Sequence, residues 1–219
     1  MSYLRNLRCG AVALVAALVI AFAASLSAAD ILDDWDTVKP PPRPELKAVT
    51  LQGSTTALLI LDLMKNGVCM DRPRCVATIP NVKRLFDAAH AAGAMVWFAL
   101  GGPSNTPADL IDIGYTPRDG EWGAPDSVDK FFNSNLDEKL EARGIKTVVL
   151  CGTSFQGVGI SNALGASDRG YKVIVPIDCL SSQDAYGEQA AVNYMFNDGP
   201  NAVRTHTTLT RSTMVKFGK

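Results

Sequence analysis

The run 145–163, IKTVVLCGTSFQGVGISNA, restricts the fold more than any other part of the chain. Thr147, Val148 and Val149 are β-branched and lie in an apolar run, which predicts a buried strand over 145–151. Gly152, Thr153, Ser154 and Gly157 then break the strand, and helical spacing follows. A strand that feeds a helix through so short a loop leaves the helix's first N–H groups, which lack intrahelical partners, beyond the strand's carboxyl end. Such a place stabilises an anion or a developing oxyanion. The rest of the chain is read as supplying partners to it.

The 219 residues, 47% hydrophobic and 20% charged, suit one globular domain plus a targeting segment. That segment comes first. Residues 1–10 carry Arg5 and Arg8 and no acid, 11–24 are wholly apolar, and Ser27, Ala28 and Ala29 are the small residues of a cleavage site. The expectation is a signal peptide over 1–29, a periplasmic or secreted mature chain, and no stable membrane span after cleavage. A retained anchor is the competing reading, because 10–29 carries no charge. Beyond residue 29 there are 19 basic and 22 acidic residues, a net charge of −3. With no basic patch interleaved with aromatics, nothing points to a nucleic-acid partner.

Residues 30–54 read as a Pro-rich arm, whose 30–47 portion, with KPPPRPELK, suits neither helix nor ladder. Next, 56–61 is a continuous apolar run ending at Asp62, as in a central parallel strand. Residues 64–79 are irregular, and Cys69 and Cys75 form a candidate disulfide in a compartment that permits one. A helix is predicted from Pro80 to 92 on the stripe Val82, Leu85, Phe86 and Ala89, then a strand over 94–99 in which Trp97 is core. The stretch 100–127 is too long for a simple connection and reads as a cover, with Tyr115 and Trp122 as pocket-lining candidates. A short extended piece, 128–130, leads to a helix capped at Ser134 and running to 143. Strand 171–176, helix 183–197 and a last strand 203–208 complete the pattern. Alternating strands and helices define a three-layer α/β/α sandwich with a mostly parallel, about six-stranded, Rossmann-like sheet, one domain over 55–219.

In such sheets ligands bind beyond the carboxyl ends of the strands, where Asp62, Lys130 and the 152–158 turn should meet. A charged group at the edge of a core costs free energy unless paired, so Asp62 and Lys130 are a working pair, a structural ion pair, or an aspartate with Lys130 simply solvated. The only two histidines, His90 on a helix and His206 on the last strand, do not make a metal site. Gly152 and Gly157 have the spacing of a phosphate-binding loop, but Val158 and Gly159 stand where Lys and Ser/Thr are required. Asn162 likewise occupies the third-glycine position of a dinucleotide loop. No cofactor is expected.

TALLILDLMKNGVC and the stretch from VDKFFNSNL through GIKTVVLCG to RGYKVIVPIDC resemble the isochorismatase-like, or cysteine hydrolase, superfamily across about 55–217. The resemblance implies a six-stranded parallel sheet and a site of aspartate, lysine and, in most members, a nucleophilic cysteine. The aspartate corresponds to Asp62 and the lysine to Lys130. The cysteine belongs six residues after the glycine closing the strand, and counting from Gly152 puts Val158 there. Cys151 lies on the strand, away from the helix N-terminus that would lower a thiol's pKa, and with Cys179 reads as core. The zinc-binding nicotinamidase branch has a histidine after the second strand, and 100–127 has none. Members that cleave vinyl ethers work without the cysteine, their aspartate protonating the substrate before water attacks. By that resemblance Asp62 and Lys130 are catalytic, and Thr153, Ser154 and Gly157 bind a small-molecule substrate. The second reading is an inactive descendant that binds a small molecule or a protein. The resemblance also implies a homo-oligomer.

Overall fold

The computed structural model describes residues 30–67 and 69–218, so the expected signal peptide lies outside the described residues. The chain divides after Pro42 into two units. In the first, Ile31–Asp34 forms one helical turn, α1, where the sequence suggested none. Asp30 accounts for the difference. Its carboxylate accepts from the Leu32 and Asp33 N–H groups while Asp33 accepts from the Asp30 N–H, a capping box that offsets the lack of buried apolar contacts.

The second unit begins at Arg43 rather than at 55. Within the stretch read as arm, β1 (Val49–Gln52) pairs in parallel with β9 (Val215–Gly218), two strands too short and too mixed in polarity to stand out in the sequence. The main sheet has seven strands among the described residues. Its order is β4 (Trp122–Gly123), β3 (Met95–Ala99), β2 (Thr56–Leu61), β5 (Thr147–Thr153), β6 (Lys172–Pro176) and β8 (Thr207–Thr210), with β7 (Leu180–Ser181) beside the end of β5. Every one of these pairings is parallel.

All six residues of β2 are buried, as a central parallel strand requires. Its side chains alternate between two apolar layers. Leu58 and Ile60 join Val82, Leu85, Phe86 and Phe98 on one face. Leu59 and Leu61 join Trp97, Leu136, Leu140, Ala163 and Ala166 on the other. The first layer is closed by α2 (Pro73–Ala91), the second by α3 (Leu136–Ala142) and α4 (Ile160–Asp168). Helices α5 (Ala185–Asn193) and α6 (Asn201–His206) follow β7.

Several expected boundaries move. Strand β5 runs on through Gly152 and Thr153, expected to break it, because both still pair, Gly152 with Leu61 and Leu180 and Thr153 with Ser181. The helix expected from Ser134 begins at Leu136. Helix α2 starts at Pro73, seven residues before Pro80, because its buried stripe continues backward through Thr78 and Cys75. Pro73 serves as the tolerated early proline, and Pro80 sits inside the helix, forgoing a backbone donor there. The segment 128–130 is turned rather than extended. At the C-terminal end 203–206, expected in a strand, belongs to α6, so His206 is helical, its ring nitrogen against the Ala202 carbonyl at 2.8 Å. Among the described residues no helix is long and apolar enough to cross a membrane.

Gly152 decides how closely β5 approaches β2. Its φ is 128°, and a Cβ there would lie 1.9 Å from the Leu61 carbonyl oxygen, directly before Asp62. Gly152→Ala is expected to destabilise the fold by about 4 kcal/mol or more, read as a lowered urea midpoint. A midpoint unchanged from the wild type would refute the close approach.

Candidate active site

Two strand ends and two turns assemble the site. β2 ends at Leu61, and Asp62 turns the chain with φ of 54°, a left-handed conformation uncommon outside glycine and concentrated at functional positions. The Asp62 N–H extends the ladder by donating to the Ala99 carbonyl at 3.1 Å. Beside it, Gly152 leads to Thr153 and Ser154, joined by a cis peptide, and then to a single π turn over Phe155–Gly159. The Gly159 N–H reaches the Ser154 carbonyl at 3.0 Å and closes that turn. Such turns inside helices recur at functional sites.

Lys130 comes from the turned segment before α3. Its ammonium lies 3.1 Å from Asp62 Oδ2 and donates to the Ser127 carbonyl at 2.8 Å. Both residues are buried, Asp62 6% and Lys130 2% exposed. Asp62 Oδ1 is buried with no hydrogen-bond partner among the described residues. Burial pushes the Asp62 carboxyl above its ordinary pKa, and the charge and hydrogen bond of Lys130 pull it part of the way back. A carboxyl so placed can hold a proton on the oxygen that Lys130 does not occupy.

The other residues singled out in the sequence fall on both sides of this pair. Val158, on the π turn, is 6% exposed and packs in the apolar layer with Phe131 and Phe155. The Thr153 hydroxyl is buried and donates to the Ser181 carbonyl at 3.2 Å. Ser154 is half-buried, and its hydroxyl lies where a Cβ on Gly157 would come within 2.9 Å. Cys69 and Cys75 are joined in a disulfide that ties the loop after Asp62 to the first turn of α2. Cys151 and Cys179 are free and buried. A hydrogen bond with Cys151, together with burial, pushes the Cys179 thiol far up, so it is no thiolate nucleophile.

The long stretch after β3 is ordered over the loop that follows Asp62. Lys65 N–H donates to the Asp109 carbonyl at 2.8 Å, Ile111 N–H to the Leu63 carbonyl at 2.9 Å, and a Thr106–Asp109 capping box stiffens the crossing. Of the aromatic residues expected to line a pocket, Trp122 lies in β4 and packs against the core. Tyr115 packs on Phe86 and Phe98, and bounds a hollow of about 230 Å³ with His90, Glu121 and Lys139 that does not include Asp62 or Lys130. Among the described residues no three His, Cys, Asp or Glu side chains gather as metal ligands. Asn162 went unnoticed as a structural partner in the sequence. It is wholly buried on α4, accepts from the Lys130 N–H and donates to the Val158 carbonyl on the π turn just before its own helix.

This fold defines an α/β protein in which Asp62, Lys130 and the π turn gather at the carboxyl end of a parallel sheet. Residues 56–208 match the isochorismatase domain family, and the chain belongs to that family. It is similar to the isochorismatase family protein YwoC of Bacillus subtilis, 29% identical over 192 residues, 74% of this chain and 95% of the relative. In fold it resembles an isochorismatase family protein from Desulfovibrio vulgaris, with TM-score 0.62 and 22% identity over 73% of this chain and 95% of the other. A nicotinamidase from Staphylococcus aureus gives TM-score 0.61 and 19% identity over 72% of this chain and 99% of the other. The N-carbamoylsarcosine amidase of Thermoplasma acidophilum gives 0.58 and 18% over 72% and 96%. Those named amidases are hydrolases.

Breaking a buried ion pair by removing one partner leaves an uncompensated charge. Asp62→Asn is therefore expected to cost about 3 kcal/mol in urea unfolding, and the double variant with Lys130→Met to recover part of that loss. Equal stabilities for the single and double variants would mean that the two charges are not coupled.

Proposed function

We propose that the crevice hydrolyses a small molecule with Asp62 and Lys130 and a water, without a cysteine nucleophile. The buried Asp62 carboxyl carries this reading: one oxygen faces the Lys130 ammonium and the other has no hydrogen-bond partner among the described residues. Burial favours its neutral form, which is the form a general acid needs. On a vinyl ether, Asp62 gives its proton to the terminal carbon of the double bond, and water adds to the resulting oxocarbenium carbon. The proton that water loses returns to the Asp62 carboxylate. The hemiketal then breaks its C–O bond as its hydroxyl proton passes to the leaving oxygen, giving a carbonyl compound and an alcohol. Small amides, with water attacking the carbonyl and a C–N bond breaking, are the second substrate class to try. Ser154 and the backbone of the π turn would orient the substrate. The reading is supported by the four cysteines among the described residues, two in a disulfide and two buried.

A second reading, a binding protein with no turnover, is favoured by the burial of Val158 in the apolar layer. We place the mature protein in the periplasm or outside the cell, on the signal-like pattern of 1–29 and the Cys69–Cys75 disulfide. A homo-oligomer remains part of the proposal by analogy with the family.

The test is a screen of vinyl ethers and small amides, with Asp62→Asn as control. Because the protonated carboxyl is the active form, the rate should fall as pH rises through a pKa above the ordinary carboxylate value. Asp62→Asn should lose about 10²- to 10⁴-fold in rate. Turnover that Asp62→Asn leaves intact would overturn the assignment, and no turnover of either class would favour the binding reading.

A further inference from the structure

Lys130 reaches Asp62 from a segment with no regular secondary structure, 126–135, so something else must hold it there. The inference rests on the Asp62–Lys130 site proposed above and concerns what positions it. Asn162 Oδ1 accepts from the Lys130 N–H at 3.0 Å, and its Nδ2 donates to the Val128 carbonyl at 2.9 Å. The same Nδ2 donates to the Val158 carbonyl at 2.8 Å. One wholly buried amide therefore joins the backbone at Val128 and at Lys130 itself to the π turn that precedes α4. Among the described residues, apart from the Lys130 ion pair, the hydrogen bonds tying 127–132 to a distant element are these two, across 32 and 34 residues of sequence.

The rest of the same helix face agrees. Three residues beyond Asn162, Gly165 lacks the Cβ that would lie 2.9 Å from Asp129 Oδ1 and 3.1 Å from the Phe131 ring. Four residues further, just past the end of α4, the Arg169 guanidinium lies 4.7 Å over the centre of the Phe131 ring and pairs with Asp137 at 3.0 Å. Hydrogen bonds, a close approach that only glycine allows and a cation–π contact follow one another at helical spacing, all against the lysine segment.

We infer that Asn162 is the positioning residue of Lys130, and that the Asn162–Gly165–Arg169 face of the α4 region is the seat that sets the distance between the ammonium and Asp62. A residue that only stabilised the fold would lower the unfolding midpoint without altering Asp62. A positioning residue must change how Asp62 titrates, because the Lys130 ammonium lies 3.1 Å from that carboxyl and is its ion-pair partner among the described residues.

The experiment is a carboxyl-carbon NMR titration of aspartate-labelled protein, comparing wild type, Asn162→Ala and Lys130→Met. Lys130→Met, which loses the whole of the lysine's downward pull, marks the upper limit. Asn162→Ala should move the Asp62 titration up in pH from the wild type towards that limit. A folded Asn162→Ala that titrates as wild type overturns the inference. If Asn162→Ala does not fold, Gly165→Ala, which pushes Asp129 and Phe131 off the helix, must produce the same upward shift, and an unshifted titration overturns it equally. No substrate is involved. An enzyme inactive on every compound would leave this result standing, and an unshifted titration would leave the hydrolase proposal standing.

Discussion

The close pairing of β2 with β5 is the constraint on which the rest depends. Gly152 lies so near the Leu61 carbonyl that no side chain fits, and this contact brings the ends of the two central strands side by side. Asp62 leaves one strand and the π turn leaves the other, so the carboxylate and the turn are neighbours by construction. Both strands are buried on both faces, which makes their ends among the least mobile parts of the fold. A rigid base of this kind is what a site needs if its groups are to be held to a fraction of an ångström.

Lys130 is different in kind. It enters from a turned segment, and its ammonium is buried at a cost that neither the Ser127 carbonyl nor Asp62 alone would offset. The pair is worth keeping only if its geometry is held, and α4 supplies the means through Asn162 and the gap at Gly165. The resulting carboxyl has an opposite charge on one oxygen and desolvation without a partner on the other. Desolvation and the lysine act on it in opposite directions, with desolvation the larger. Small changes in the distance to Lys130 therefore shift its proton affinity, which couples the packing of one helix to the chemistry proposed for the crevice.

The strands and the two charged residues were legible in the sequence. A continuous run such as TALLIL must be buried on both faces, and an aspartate directly after it must find a partner. The strand–loop–helix over 145–163 was legible for the same reason, although its first helical residues form a π turn. Helix α2 was misread at its start because Pro80 looks like a first-turn proline, while the apolar stripe through Cys75 and Thr78 is evident only once the opposing layer is known. His206 was assigned to a strand because Val203–Thr208 contains β-branched residues, a preference that packing against neighbouring helices overrode.

By itself, then, the sequence determined the class of fold, the central strands, and the aspartate and lysine that meet at their ends, since period and burial are local properties written in adjacent residues. Only the tertiary structure decided which atoms meet. The pairing of β1 with β9, the seat that α4 provides for the lysine segment, and the ion pair of Asp62 with Lys130 all depend on contacts between residues far apart in the chain. Such contacts leave no periodic trace, because an asparagine that hydrogen-bonds three carbonyl and amide groups across a crevice has the same neighbours in sequence as one that faces water.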